Sequence, residues 1–192
     1  MKEFVIKAFD DSAEIKRRFA RDHADRIVQV AQLIGGAFQA GHKVLLFGNG
    51  GSSTDAAHIA AEFVGRYKRE RAPLPAIALA TDIAAITCIA NDYGFEELFA
   101  RQVQAHGQRG DVAIAISTSG NSPNVLKGVE AAKALGLTTI AWTGGTGGKL
   151  AGMVDYAFVV PSTLTARIQE SHITLGHVLC ELIEDHVLAN PA

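Results

Sequence analysis

A histidine and a glutamate stand four residues apart at His58 and Glu62. On an α-helix this spacing places both side chains on one face, where they could hold one cation or exchange protons with a substrate. His177 and Glu181 repeat the spacing, but no glycine-rich loop lies beside them, so there the pattern favours an ordinary contact on a helix surface. A His/Glu pair at this spacing is more often an ion pair than a metal or catalytic site, so the residues around it must show which of the two it is.

A glycine-rich segment precedes the first pair. Residues 48–55 read Gly-Asn-Gly-Gly-Ser-Ser-Thr-Asp and join an apolar run to the helical segment that carries His58. Glycines let the backbone approach a ligand, and the amides and hydroxyls at a helix start favour an anion such as phosphate. A dinucleotide fingerprint is the alternative, but Ser53 occupies its last glycine position and the next apolar run ends in Ala80-Thr81 without the expected acidic residue.

A second segment has the same character. Residues 117–123 read Ser-Thr-Ser-Gly-Asn-Ser-Pro, which gives four hydroxyls in six residues, with Pro123 suited to the first turn of a helix. The Gly-Lys-Ser/Thr of a nucleoside-triphosphate loop is missing, so the segment predicts a phosphate cup that needs no metal. The alternative is that the serines only cap a helix start. A third glycine cluster, at residues 143–148, predicts a tight turn before a short helical piece at 149–152, and we assign it no ligand.

Short apolar runs alternate with helical segments through the middle of the chain. Buried parallel strands sandwiched by helices give this pattern, which predicts an α/β fold with three α/β/α layers around a five-stranded parallel sheet. The glycine clusters directly follow the first, third and fourth runs, so all three should lie at the carboxyl edge of the sheet, where such folds bind ligands. The predicted strands are residues 43–47, 76–79, 112–116, 138–142 and 156–160.

Long helices are predicted at both ends of the chain. An amphipathic stretch follows Asp11-Ser12 and stops at Gly41, which predicts one or two helices, and a closing helix is predicted from Thr165 to Leu188. The 192 residues fit one domain of about 100–200 residues, and neither a repeat nor a linker interrupts them. We therefore predict a single domain over 1–192.

Composition limits the partners of the protein. The chain has 18 basic and 20 acidic side chains, so it offers no basic field for nucleic acid, and no apolar run approaches the length of about 18 residues that a membrane span needs. We expect no nucleic-acid partner and no membrane. Cys88 and Cys180 lie in apolar helical surroundings and are expected to be buried, reduced thiols, which indicates a cytoplasmic protein.

Several of these segments, taken together, carry a resemblance. In order along residues 38–184, they resemble the phosphoheptose isomerases, a family of enzymes with a sugar-isomerase (SIS) domain. Each segment alone is unspecific, whereas the combination is specific. The residues that carry the resemblance are Gly48-Asn49-Gly50-Gly51-Ser52, Asp55-Ala56-Ala57-His58, Glu62, Asn91-Asp92-Tyr93-Gly94-Phe95, Ser117-Thr118-Ser119-Gly120-Asn121-Ser122, Arg167-Ile168-Gln169-Glu170 and His177.

The resemblance implies an activity. Enzymes of this family convert sedoheptulose 7-phosphate to D-glycero-D-manno-heptose 7-phosphate, the first step of nucleotide-heptose synthesis for bacterial surface glycans. It also implies a SIS fold of the flavodoxin-like or Rossmann-like kind, a homotetramer with sites between subunits, and one zinc ion per subunit. The expected partners are a phosphorylated seven-carbon sugar and further copies of the chain.

The resemblance also implies roles for individual residues. Glu62 and His177 would act as base and acid with help from Asp55, and zinc would polarise the carbonyl of the sugar. Zinc would be held by His58, Glu62, Gln169 and His177. The phosphate would be held by Ser52, Ser117, Thr118, Ser119 and Ser122. The sugar would contact Asn49, Gly50, Gly51, Glu62, Asn91, Asp92 and Gln169.

A binding module is the alternative from another functional class. Relatives of similar fold sense sugar phosphates or associate as tetramers with the bacterial replication initiator protein, without catalysis. A protein that only recognises phosphate could lose His58, Glu62 and His177 without penalty. Their joint presence in this sequence favours the enzyme.

Overall fold

The computed structural model describes residues 1–190, so the predicted domain, 1–192, extends two residues beyond the described part. Within residues 1–190 the chain forms six α-helices, five strands and two short 3-10 turns, at Phe95–Glu97 and Leu150–Gly152. The helices are α1 Lys2–Gln39, α2 Gly51–Val64, α3 Ile83–Tyr93, α4 Leu98–His106, α5 Pro123–Leu135 and α6 Thr165–Ala189. The strands are β1 Val44–Gly48, β2 Ala76–Ala78, β3 Val112–Ile116, β4 Thr138–Gly144 and β5 Tyr156–Val160.

The strands form one parallel sheet in the order β2-β1-β3-β4-β5. This is the flavodoxin-like order, in which the chain changes its direction of progress between β1 and β3 and opens a crevice at their carboxyl ends. Gly48 pairs with Ile116, so the loops that follow β1 and β3 start side by side. The predicted five-stranded parallel sheet is confirmed.

Both faces of the sheet are covered. Val44 and Leu46 point into one apolar core, formed with α1, α2 and α6, while Leu45 and Phe47 point into a second core, formed with α3, α4 and α5. Every residue of β1 is buried, as are those of β3. Burial of alternate side chains on opposite faces explains why these strands read as continuous apolar runs, and it confirms the three layers.

The terminal helices agree with the prediction at one end of the chain only. The closing helix, α6, begins at Thr165 as predicted and ends at Ala189. At the other end, the predicted start after Asp11-Ser12 is wrong, because one helix runs from Lys2 to Gln39. The Asp11 carboxylate binds Lys7 Nζ at 2.8 Å, one turn earlier on the same helix, instead of capping a new one. In residues 1–190 no helix is both long and apolar enough to cross a membrane.

The two cysteines differ in their surroundings. Both are free thiols, and Cys180 is buried, which raises the pKa of its thiol to about 12. Cys88 is exposed, so the prediction that it is buried is wrong. The reason is that α3 fully buries only Ile89 among the described residues, with Ile86 packed beside it, and Cys88 lies on the part of the helix that this chain leaves exposed.

Candidate active site

A cavity of about 270 Å³ lies at the carboxyl ends of β1 and β3. Both predicted anion loops contribute to it, and α6 closes one side. Its position agrees with the edge of the sheet that the glycine clusters predicted. The residues that line it are Asn49, Gly50, Gly51, Ser52, Ile116, Ser117, Thr118, Ser122, Thr165 and Gln169.

The loop after β1 leads into α2 through Gly50, whose φ of +56° suits glycine. Within the described part of the chain, no side chain caps the start of α2. The hydroxyls of Ser53 and Thr54 instead donate to the carbonyls of Gly50 and Gly51, at 2.7 Å each. The amides of Ser52, Ser53 and Thr54 donate to the carbonyls of Asn49 and Gly50, and the buried Ser52 lines the cavity beside this helix start, whose dipole favours an anion.

The loop after β3 turns its hydroxyls toward one another. Ser117 Oγ and Ser122 Oγ lie 3.0 Å apart, and the amide of Gly120 donates to the Ser117 carbonyl at 3.0 Å. Ser122 stands at the start of α5, yet in residues 1–190 its hydroxyl caps no amide of that helix. One serine does satisfy a backbone amide, since Ser119 Oγ accepts from the amide of Asn121 at 3.2 Å. The interpretation that the serines only cap the helix start is therefore not supported at Ser122.

An amide pair that no pattern in the sequence predicts joins the two loops. Asn49 and Asn124 exchange two side-chain hydrogen bonds, each 2.9 Å long. Asn124 is 3% exposed and lies in the first turn of α5. The available signal in the sequence was an asparagine directly after Pro123, at a predicted helix start, but nothing in the sequence shows that its partner lies 75 residues away.

The third glycine cluster forms the predicted turn and lies directly behind the second loop. The amide of Gly144 donates to the Thr118 carbonyl at 3.1 Å, and the amide of Leu150 donates to the Gly120 carbonyl at 3.0 Å. A larger cavity, of about 780 Å³, opens beside this turn and shares Thr118 and Thr165 with the smaller one. Ser119, which was expected to hold phosphate, lines this larger cavity.

Three of the predicted chemical side chains come together between α2 and α6. His58 Nε2 lies 3.2 Å from Glu62 Oε1, as the four-residue spacing predicted, and 3.4 Å from His177 Nε2. One ligand atom from each residue lies within 4.8 Å of the others, which is compact enough for one divalent cation. Two imidazoles and a carboxylate are a donor set that suits zinc.

The remaining α6 residues of the prediction are spread along the helix. The amide of Gln169 lies against Gly51, so closely that a Cβ at that glycine would come within 2.5 Å of Gln169 Nε2. His177 follows eight residues later, about 12 Å along the helix. The predicted surface contact between His177 and Glu181 is wrong. Glu181 instead binds Lys68 Nζ at 2.9 Å.

Asp55 lies on α2, one turn before His58, and is half-buried. Its Oδ2 atom is buried and has no hydrogen-bond partner among the described residues. Burial raises the pKa of Asp55, and the nearby His58 lowers it by a smaller amount. A carboxyl group whose pKa is raised in this way is suited to hold or pass a proton.

Asn91 and Asp92 lie on α3, outside the lining of either cavity described above. Both are exposed, and Asn91 Nδ2 donates to Asp92 Oδ1 at 2.7 Å. Within one chain, therefore, the structure does not bring them to the predicted sugar site.

Comparison with known proteins gives a consistent result. The pattern of the SIS domain family matches residues 9–144. A phosphoheptose isomerase of Aquifex aeolicus is 60% identical over 187 residues, covering 97% of this chain and 98% of that protein. A phosphoheptose isomerase of Thermodesulfovibrio yellowstonii is 56% identical over 188 residues, covering 98% of this chain and 94% of that protein.

Solved structures agree. The phosphoheptose isomerase GmhA of Neisseria gonorrhoeae superposes with a TM-score of 0.91 at 43% identity, covering 96% of this chain and 98% of that one. A phosphoheptose isomerase of Francisella tularensis gives a TM-score of 0.92 at 40% identity, covering 95% of this chain and 97% of that one. The chain therefore belongs to the SIS domain family and, within it, to the phosphoheptose isomerases.

Proposed function

We propose that the protein is an aldose–ketose isomerase that converts sedoheptulose 7-phosphate to D-glycero-D-manno-heptose 7-phosphate. The observation that carries the proposal is that the same two helices, α2 and α6, line the hydroxyl-rich cavity with their first turns and bring His58, Glu62 and His177 together further along. The high identity to phosphoheptose isomerases over nearly the whole chain supports the same substrate. The reaction would be the first step of nucleotide-heptose synthesis, carried out in the cytoplasm by one domain.

The phosphate of the substrate would bind in the smaller cavity. Ser52, Ser117, Thr118 and Ser122 offer hydroxyls there, and the starts of α2 and α5 add the positive ends of two helix dipoles. Ser119 would complete the cup from the neighbouring cavity. No nucleotide or nicotinamide is needed, because both loops lack the corresponding signatures.

Isomerisation moves one proton between neighbouring carbons and a second between their oxygens, by way of an enediol. Glu62 and His177 would act as base and acid, since a carboxylate and an imidazole are the groups that commonly serve in proton transfer and both belong to the cluster between α2 and α6. Asp55, with its raised pKa, would assist in proton exchange. Asn49, Gly50, Gly51 and Gln169 would orient the sugar chain from the wall of the cavity.

A zinc ion is part of the proposal. His58, Glu62 and His177 fit it in donor type and in spacing. Gln169 of a neighbouring subunit would be the fourth ligand, because within one chain Gln169 lies about 12 Å along α6 from His177. When bound, zinc polarises the carbonyl of the sugar and lowers the cost of the developing oxyanion.

We also propose a homotetramer with sites shared between subunits. α3 carries Asn91 and Asp92 outside the cavities of its own chain, and Ile83 on the same helix is 76% exposed. Delivery of Asn91 and Asp92 to the site of another copy would account for both features. The non-catalytic alternative, a tetramer that binds a phosphosugar or the replication initiator, is not favoured by the relatives.

The test is isomerisation of pure sedoheptulose 7-phosphate by the purified protein with zinc, followed by separation of the phosphate esters. Glu62→Gln is expected to lower turnover by about 100- to 10,000-fold, the usual effect of losing an acid–base group. Glu130→Gln, an exposed position on α5, is the matched control. A parent protein that binds the sugar phosphate but forms no aldoheptose phosphate would refute the enzyme and favour a sensor.

A further inference from the structure

The segment between α2 and β2, residues 65–75, is anchored to α6 by a buried ion pair. Arg71 Nε lies 3.1 Å from Glu184 Oε1, and both side chains are only 2% exposed. Buried ion pairs persist only where further hydrogen bonds satisfy the charges. Here backbone groups form hydrogen bonds with the Glu184 carboxylate and with the two terminal nitrogens of Arg71.

The Glu184 carboxylate accepts from three consecutive backbone amides of the segment. Tyr67, Lys68 and Arg69 donate to it at 2.7, 2.9 and 3.1 Å. Burial opposes the charge, yet these amides and Arg71 hold the pKa of Glu184 below its usual value. The backbone at Tyr67 is therefore fixed to α6 by hydrogen bonds to a charged acceptor, which are stronger than neutral ones.

The Arg71 guanidinium fixes the other side of the same segment. Nη2 donates to the Glu62 carbonyl at 2.8 Å, and Nη1 donates to the Phe63 carbonyl at 2.8 Å. These are carbonyls of the last turn of α2, which a helix leaves without intrahelical partners. Arg71 and Glu184 thus tie the end of α2, which carries Glu62, to the helix that carries His177.

The side chain of Tyr67 extends from this fixed backbone onto the chemical cluster. Its ring stacks on the imidazole of His177, with centroids 5.5 Å apart and planes 16° apart. His58 meets the same imidazole at 73°, with centroids 5.0 Å apart. His177 is therefore held on one face by Tyr67 and meets His58 with its Nε2 atom.

We propose that Tyr67 is a positioning residue for His177, held in place by the Arg71–Glu184 pair. The stack restricts rotation of the imidazole, so that Nε2 stays directed at the point shared with His58 and Glu62. The flat face of the ring performs this role, and the hydroxyl does not. The inference rests on the proposed function, because it assumes that His177 binds zinc and exchanges protons there.

The test compares Tyr67→Ala with Tyr67→Phe in the full-length protein. Removing a group that orients a metal ligand typically costs 10- to 100-fold in metal affinity or activity. Tyr67→Ala is therefore expected to weaken zinc binding by about 10- to 100-fold, measured against a competing chelator, and to lower kcat while KM for the sugar phosphate stays near the parent value. Tyr67→Phe retains the flat face and should recover both properties.

Two results would overturn the inference. Tyr67→Ala with the zinc affinity and kcat of the parent would show that the stack positions nothing, and Tyr67→Phe as impaired as Tyr67→Ala would transfer the role to the hydroxyl. Tyr67 is half-buried, and Tyr67→Leu, which keeps apolar bulk without a flat face, is the substitute should Tyr67→Ala not fold. It is expected to be impaired in the same two properties.

A readout without metal separates this inference from the proposed function. In zinc-free protein at one fixed pH, the ring protons of His177 should be shifted upfield by the Tyr67 ring in NMR spectra of the parent and of Tyr67→Phe, and should lose that shift in Tyr67→Ala. A parent that lacks isomerase activity and zinc refutes the proposed function. A parent whose His177 protons show no such shift refutes the stack itself.

Discussion

His172 is a buried histidine outside the chemical cluster, on the face of α6 that meets the sheet. It is fully buried, and its Nε2 atom lies 3.2 Å from the Thr143 carbonyl. Burial lowers the pKa of His172 to about 4, despite the opposing effect of that hydrogen bond. The imidazole is therefore neutral at pH 7 and donates to the end of β4, from which the third glycine loop starts.

This burial predicts a pH dependence of stability. As the pH falls below 6.5, His172 takes up a proton in the unfolded chain, but in the folded protein it does so only near pH 4. Its contribution to the free energy of unfolding is thus complete above pH 6.5 and lost between pH 6.5 and 4, a change of about 3 kcal/mol. Urea unfolding at pH 7 and at pH 4 should show that His172→Gln loses about 3 kcal/mol less than the parent over this range.

The control for that experiment is His106→Gln, at the exposed end of α4, which removes no buried imidazole. An equal loss of stability in the parent and in His172→Gln would contradict the assignment of the pH dependence to His172.

At the scale of elements, the third glycine loop supports the second. Gly148 has φ +56°, and a Cβ there would lie 2.5 Å from the Ser119 carbonyl oxygen and 2.6 Å from that of Gly120. The turn after β4 therefore fits closely against the backbone of the predicted phosphate cup. This role differs from ligand binding, and the sequence could not indicate it because both partners are loops from separate strands.

Gly148→Ala is predicted to displace the phosphate cup. The added Cβ overlaps backbone oxygens of the cup, so KM for the sugar phosphate should rise by about tenfold or more, since a loss of about 1.4 kcal/mol in binding is already a factor of ten. Zinc binding by the His58 cluster should not change. The measurement is steady-state kinetics together with metal analysis.

Gly145→Ala is the matched control in the same turn. Gly145 also has a positive φ, +63°, but the nearest atom to its Cβ position is 3.8 Å away. Gly145→Ala adds the same backbone strain without overlapping the phosphate cup, so the KM of this variant for the sugar phosphate should stay near that of the parent. An equal rise of KM in both variants would mean that strain in the turn, rather than contact with the cup, controls binding.

At the scale of the whole molecule, one chain leaves an apolar surface uncovered at the start of α1. On α6 most apolar side chains are covered within the chain, and Val178 and Leu188 are each 41% exposed. The first turns of α1 are uncovered instead, with Phe4 76% and Phe9 74% exposed. Exposed apolar patches of this kind mark interaction surfaces, so α1 is where we place a contact between copies.

The prediction at this scale concerns assembly. Light scattering should report a tetramer for the parent and a smaller species for the Phe4→Asp, Phe9→Asp double variant, because burying two added carboxylates in an interface is unfavourable. Arg18→Glu, an exposed position on α1, makes the same change in net charge and should remain tetrameric. A monomeric parent would contradict the tetramer, and a tetrameric double variant would move the contact away from the start of α1.

The sequence by itself determined the sheet and the edge of the sheet that carries the site. The apolar runs of β3 and β5 coincide with the strands, because burial of a strand, complete in β3 and partial in β5, is visible as a local run of apolar residues. The His58–Glu62 contact was equally local, since a helix fixes residues four apart. Parallel strands then bring the loops that follow them to one edge without further information.

Only the tertiary structure decided which distant residues meet. His177 reaches His58 across 119 residues because α2 and α6 lie side by side. Glu184 is read along the sequence as one more acidic residue of a helix, and its three backbone amides lie 115 to 117 residues away. The same holds for Cys88, whose exposure depends on what packs against α3. Local patterns specify elements and their edges, whereas pairing across the chain depends on how the elements pack, which no local pattern encodes.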